Sequence, residues 1–426
     1  MNSKLIRKIA VNLETILIVG IFVFYSGSVT VAPQIEKLIK VGSYGILLIL
    51  IALSWKRFAY VLTRDKLILT LLSIAVMSFF WSAAPDFTLN EVKSVVRATF
   101  LGVYMAMRYS TKEQIQLLIY SLITIAILSL ITYIVSPGTG SHIANGVLAW
   151  RGIYRHKNHL GRIMALSPLF LAFSISKRHS LWKTLVIFGL MFALIILSQS
   201  KTALILFVSL SSVLVLYKIA KQHYKIKAIL AILTILVVGS TSILIVTNLE
   251  YVLVDVLGKD LGLNGRVPIW TLSIEKGLER PWFGYGFAAF WTSEESLYVT
   301  DNSWALSDAK ATGDVNRRFN AHNGYLDIFL QLGFAGFFLY LTMYFTVLWR
   351  TLNLFFLTRR IEVICMIQIL VMQFIVNFSV GNTILTSDII WIYFISINLI
   401  SSRERKEIAL ANRYRPQKIL SIPAES

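Results

Sequence analysis

Charge is scarce in this chain. Of its 426 residues, 15% are Asp, Glu, Lys or Arg, against 56% hydrophobic and 13% aromatic. Soluble domains carry about 25% charged residues. A water-soluble core this apolar would leave large greasy patches in solvent. An ordinary soluble enzyme, a disordered chain and a fibrous protein are therefore excluded, and a polytopic membrane protein is indicated. Cysteine is nearly absent: Cys365 stands alone inside an apolar run, which excludes a disulfide framework and a CxxC metal site. Motifs for common chemistries are missing too. There is no P-loop, no GxGxxG after a strand, and no HExxH or GxSxG. No DxD or comparable acidic pair points to a divalent ion, so neither a metal nor a cofactor is expected. Cations are not scarce: 41 Lys and Arg against 22 Asp and Glu leave a net charge of +19.

Hydropathy divides the chain into about twelve segments of near-spanning length, at 12–31, 41–55, 66–82, 91–107, 114–136, 160–176, 181–198, 201–217, 227–247, 323–349, 361–380 and 384–401. The first is not a cleaved leader, because no A-x-A-like site follows it. An alternating path from a cytoplasmic N-terminus puts most of the basic residues on the inner side, including Lys56, Arg57, Arg108, Lys177, Arg350, Arg360 and Arg403. Nearly all the excess charge is then topological. A nucleic-acid partner loses its support, and both termini fall in the cytoplasm.

Five regions follow. Residues 1–136 hold the N-terminal membrane helices. Residues 137–247 hold the central ones, with a basic outer loop at 137–159. Residues 248–322 form a large outer loop between spans nine and ten. Residues 323–401 hold the C-terminal helices, and 402–426 form a basic tail. Within the large loop, 266–279 is predicted to be an amphipathic helix stopped by Pro281, followed by an aromatic and glycine-rich turn at the membrane interface.

Four clusters gather on the outer side. The first runs from Arg151 through Arg155, His156, Lys157 and Asn158 to Arg162, a density of cations that the positive-inside bias disfavours there. The second is the tight turn Ser198-Gln199-Ser200-Lys201-Thr202. The third is Gly265-Arg266-Val267-Pro268-Ile269-Trp270, whose Arg at a helix start suits a phosphate. The fourth is Ala321-His322-Asn323-Gly324-Tyr325, where a histidine ends a loop and opens a helix. Arg97 lies about 9 Å into span four, six residues beyond Glu91 at 1.5 Å each, where an ionisable group is a functional candidate. Each cluster alone also reads as an interfacial anchor, a snorkelling cation or, for His322, a structural histidine.

Order, spacing and common sidedness carry more than any one motif. A RGxxRHKN stretch, a Ser-Lys turn two spans later, a GRxxxW stretch and an HNGY followed by Gly333 and Gly336 resemble the bacterial O-antigen ligase and polysaccharide polymerase superfamily over roughly 140–400. The resemblance implies an all-α, GT-C-like membrane glycosyltransferase of the bacterial inner membrane. Its donor would be a polyprenyl-diphosphate-linked glycan and its acceptor another glycan or lipid A core. Membrane lipid and further polysaccharide-assembly proteins complete the implied partners. Arg266 and His322 match the loop Arg and His held essential in that family, and the implied reaction needs no metal. Lys201 stands where ligases usually carry Arg, and HKN at 156–158 is closer to the exopolysaccharide polymerases.

The residues fit that chemistry independently. A departing lipid diphosphate gains negative charge, which fixed cations can steady. Arg266, Arg155, Lys157, Lys201, Arg97, Arg151, His156 and Asn158 are the candidate diphosphate contacts, and His322 the candidate base. A lipid-linked glycan flippase would place ionisable groups near the bilayer midplane. A non-enzymatic assembly protein would need no cationic mouth.

Overall fold

The computed structural model describes residues 3–144, 146–177, 180–220, 266–303, 319–378 and 383–413. It is mostly helical: α1 (Ser3–Tyr25), α2 (Pro33–Ala52), α3 (Trp55–Leu62), α4 (Lys66–Met77), α5 (Pro85–Arg108), α6 (Thr111–Val135), the single turn α7 (Pro137–Gly140), α8 (Lys157–Met164), α9 (Ser167–Ser176), α10 (Leu181–Leu197), α11 (Lys201–Ala220), α12 (Arg266–Glu279), α13 (Leu297–Asp301), α14 (Gly324–Thr358), α15 (Ile361–Val376) and α16 (Ile389–Arg413). A small antiparallel hairpin, β1 (Ser141–Ala144) and β2 (Val147–Trp150), sits between α7 and α8 with Ser141 opposite Trp150. The predicted ninth span at 227–247, parts of the large loop and the end of the tail lie outside the described residues.

Local chemistry accounts for the helix starts. Prolines open α2, α5 and α9, where a missing N–H costs nothing. Ser110 and Glu113 form a reciprocal cap on α6, and Asp65 accepts the Ile68 N–H at the start of α4. Among the described residues three stretches are long and apolar enough to cross a membrane: Thr111–Val135, Lys157–Ser176 and Gly324–Thr358. The predicted second span is instead a pair of helices bent by 96°. Its second arm, α3, turns Phe58 inward and leaves Lys56 and Arg57 exposed, a pattern that suits a surface-lying arm. Several other predicted spans are shorter apolar helices, at Val11–Tyr25, Lys66–Trp81, Leu181–Leu197, Lys201–Val215 and Ile361–Val376.

The α5–α16 contact forms the centre. Gly102 allows it, since a Cβ there would lie 2.7 Å from the Ile392 carbonyl oxygen. Buried polar groups at this seam are satisfied across helices: Trp391 Nε1 donates to Thr99 Oγ1 (3.0 Å), Tyr393 to the Gln114 carbonyl (2.8 Å), and Ser396 to Gln114 Oε1 (2.8 Å).

Predicted span ten is not one uninterrupted helix. Gly333 breaks α14 with φ 63° and ψ −163°. The aromatic and glycine-rich stretch after α12 fills the break. Tyr285 and Gly286 donate to the Leu330 and Gln331 carbonyls, while Phe334 and Ala335 donate to those of Pro281 and Trp282 (2.7–3.1 Å). The stretch is a turn, as expected, and it packs into the helix break. Trp282 and Phe283 are exposed, but Tyr285, Phe287 and Phe290 are buried between α14 and the α4–α5 corner. Backbone groups freed by a broken helix need partners, and this strand-like insertion supplies them.

Cations assigned to one side meet at one end of the bundle. Arg57, Arg108, Arg360 and Arg403 line a common pocket there with Glu113, Glu404 and Glu407. At that end Arg108 pairs with Glu14, Arg360 with Glu404 and Arg350 with Asp65.

Candidate functional site

At the other end, the C-terminal end of α1, the starts of α2, α8 and α16, the middle of α5 and the loop before α14 border a cavity of about 390 Å³. Its walls include Arg97, Arg155, His159 and Arg162, with Glu36, Asp388 and Asn320. Arg162 is buried, and its Nη2 lies 2.8 Å from Asp388 Oδ2 and 3.4 Å from His159 Nδ1. Asp388 also caps α16 by accepting the Ile390 N–H (2.8 Å). Arg155 is exposed and pairs with Glu36 at 2.9 Å. The Arg97 guanidinium lies 5.5 Å from the centre of the Tyr44 ring and within 3.5 Å of Ser94 Oγ. Three guanidinium groups against two carboxylates leave this chamber suited to an anion.

The RGxxRHKN stretch divides its labour. Arg151 spends its fork on backbone carbonyls: Nε donates to Thr139 (2.8 Å) and Nη2 to Gly138 (3.1 Å). Gly152 permits a close pass over Ser129, where a Cβ would sit 2.4 Å away. Tyr154 is fully buried with its hydroxyl 2.6 Å from Ser26 Oγ, and Arg155 N–H donates to the Ser28 carbonyl. The effect is to staple the loop to the end of α1 and turn Arg155 and His159 toward the cavity. His156 caps α8, its Nδ1 accepting the Asn158 N–H at 3.2 Å. Lys157 and Asn158 form the first turn of α8 outside the cavity walls. His156 also lies 5.7 Å, ring to ring, from His142 of the hairpin. Burial first, then the nearby Arg151 and Lys157 charges, holds His142 below its ordinary range.

Lys201 is exposed at the start of α11 and does not line the cavity. Its turn nonetheless packs on α8: a Cβ at Gly161 would meet Ser198 Oγ at 2.7 Å and Ser200 Cβ at 3.1 Å.

Arg266 and His322 lie on segments linked by a hydrogen bond. Arg266 opens α12 half-buried, and that burial pulls its guanidinium below the usual range. One turn on, Trp270 Nε1 donates to the Ala321 carbonyl (2.8 Å). Asp327 holds the same loop from below, accepting from Ala321 N–H (3.2 Å) and Trp291 Nε1 (2.8 Å). His322 has φ 51°, and its N–H donates to Asn320 Oδ1 (2.8 Å). Left-handed backbone at a non-glycine costs about 1–3 kcal/mol and concentrates at functional sites. Asn323 caps α14, and Gly324 passes so close to Asn377 that a Cβ would lie 2.3 Å from its Oδ1. The His322 ring is not among the cavity walls, but Asn320, two residues earlier, is.

The cavity thus unites Arg97 and Arg155 and brings the His322 loop to its rim. It leaves Arg151, His156, Lys157, Asn158, Lys201 and Arg266 outside its walls. Sequence reasoning did not single out Asp388 or assign Arg162 a site role. A lone acid at the head of an apolar segment is the signal that would have marked Asp388. Among the described residues no three His, Cys, Asp or Glu side chains gather as a metal site.

Residues 186–341 match the family model described as O-Antigen ligase. The match spans Lys201, Arg266 and His322, and it supports the resemblance drawn from the motifs: over these residues the chain is similar to the O-antigen ligases. No curated protein matches the chain.

Proposed function

We propose that this O-antigen ligase-like integral membrane protein transfers a polyprenyl-diphosphate-linked glycan to an acceptor glycan at the outer face of the bacterial inner membrane. The observation that carries the reading is the cavity in which Arg97, Arg155 and Arg162 meet beside the loop bearing His322. Glycosyl transfer from such a donor breaks the bond between the anomeric carbon and the diphosphate oxygen. The bonding pair stays on that oxygen, and guanidinium groups already in place stabilise it without reorganising. Arg155 stands at the exposed side of the chamber. Arg162 is held by Asp388, and Arg97 reaches in from α5. The acceptor hydroxyl attacks the anomeric carbon as its proton passes to His322, giving inversion. In this reading the fixed cations supply the positive charge and no divalent ion takes part. Arg266 and Lys201 lie outside the cavity walls, Arg266 on the helix that Trp270 ties to the His322 loop.

The acceptor separates two versions of the same chemistry. In a strain lacking this protein, loss of glycan from lipid A core on a gel marks a ligase, whereas products one repeat long mark a polymerase. An unchanged glycan profile overturns the proposal. A purified preparation in which Arg155→Gln and Arg97→Gln both bind and turn over donor normally overturns the assignment of the cavity.

A further inference from the structure

A second chamber of about 230 Å³ adjoins the cationic cavity and shares three of its wall residues, Ser94, Thr386 and Ser387. Its chemistry is different. Among the described residues no Lys or Arg lines it. Glu91 and Gln331 join the three shared hydroxyl residues, and Val95, Phe287 and Leu385 supply apolar surface. Among the described residues the buried Thr386 Oγ1 has no hydrogen-bond partner, so its donor and acceptor capacity is open to a ligand.

The walls are held stiffly. Ala288 and Leu385 both line the chamber, and both are non-glycine residues at positive φ (58° and 53°). Ser78 Oγ accepts the Phe287 N–H (2.9 Å), Thr88 Oγ1 donates to the Phe287 carbonyl (2.8 Å), and Gln331 Oε1 accepts the Ala288 N–H (3.1 Å). That last bond leaves the Gln331 amide as a donor. Strained backbone fixed from several sides is how a fold pre-shapes a binding site.

We propose that this chamber is the subsite for the first sugar of the donor, with Glu91 accepting hydrogen bonds from its hydroxyls and Thr386 and Gln331 completing the set. The inference rests on the cationic cavity being the diphosphate site. The donor's sugar is bonded through one oxygen to phosphorus, so it must occupy space sharing a wall with the phosphates. A neutral ring edged with hydroxyls and faced with C–H groups matches carboxylate, amide and hydroxyl partners beside apolar side chains. A second phosphate would meet the Glu91 carboxylate. At about 30 Å³ per water the volume equals about eight waters, the bulk of one sugar ring and not of an oligosaccharide.

The test uses the full chain in lipid nanodiscs and four probes: undecaprenyl diphosphate, and the same lipid carrying a single glucose, galactose or N-acetylglucosamine. At least one sugar-bearing probe should bind about tenfold tighter than the bare lipid, about the worth of one hydrogen bond to a charged group. Glu91→Gln and Thr386→Val should each remove most of that gain and leave bare-lipid affinity within about twofold. Absence of any gain, retention of the gain in both variants, or equal loss for bare and sugar-bearing lipids overturns the subsite. A wild-type protein that fails to bind the bare lipid, or an Arg155→Gln variant that binds it undiminished, overturns the diphosphate reading instead.

Discussion

Arg162 and Asp388 come from segments 226 positions apart and meet as a buried ion pair. Removing one member of such a pair strands the other charge, at about 3–5 kcal/mol. Asp388→Asn keeps a side chain able to cap α16, so its effect isolates the pair. Its unfolding in detergent should show that loss, and wild-type stability would mean the pair contributes little. His322 is judged by chemistry instead. His322→Ala should lower transfer by about 10²–10⁴-fold while donor binding persists; undiminished transfer would remove the base assignment. Arg266→Lys should also impair transfer far more than its retained charge suggests, since an ammonium cannot fork, and normal kinetics would leave Arg266 as an anchor of α12. The sequence singled out these histidine and arginine positions because cations are unusual on an outer face. It did not reveal which guanidinium groups are already occupied. Arg151, one of the candidates, is engaged by carbonyls only because the turn before the hairpin folds back onto it.

Helices were the most legible level. The predicted 266–279 helix runs from Arg266 to Glu279 in the structure, because its apolar period and the proline after it are local signals. The insertion into α14 was not legible. Nothing local to Trp282-Phe283-Gly284-Tyr285-Gly286 indicates that its carbonyls and amides will complete a helix 45 to 53 residues later. Gly333 is the element on which this depends. Its backbone lies in a region open almost only to glycine, and a Cβ would fall 2.3 Å from the Trp282 carbonyl carbon. Gly333→Ala should therefore cost at least about 3 kcal/mol, read as a lower melting temperature and lost transfer. A variant as stable as wild type would show that the break tolerates a side chain.

Over the whole molecule, the two charged ends define how the bundle should sit. Cys365 is the sole cysteine and is buried, so single cysteines can be added on a silent background. Ile143→Cys on the exposed hairpin should react with a membrane-impermeant maleimide applied from the periplasmic side, and Lys56→Cys only after lysis. The reverse pattern would invert the proposed orientation and place the cationic cavity in the cytoplasm. Transfer by the purified protein should also survive chelation with EDTA. Loss of activity, restored by a divalent ion, would replace fixed guanidinium charge with a metal in the mechanism.

Composition and hydropathy were sufficient to mark an apolar, helical membrane chain and to separate its cations into two groups, because both depend only on the solvent each segment prefers. The motif order was sufficient for the family resemblance. Which cations share a chamber was decided by tertiary packing. Arg97 and Arg155 reach one cavity because α5 and the start of α8 converge there, while Arg162 needs Asp388 from the last helix. Burial and pairing of a charge are properties of its neighbours, and those neighbours are set by long-range helix contacts that no local pattern encodes.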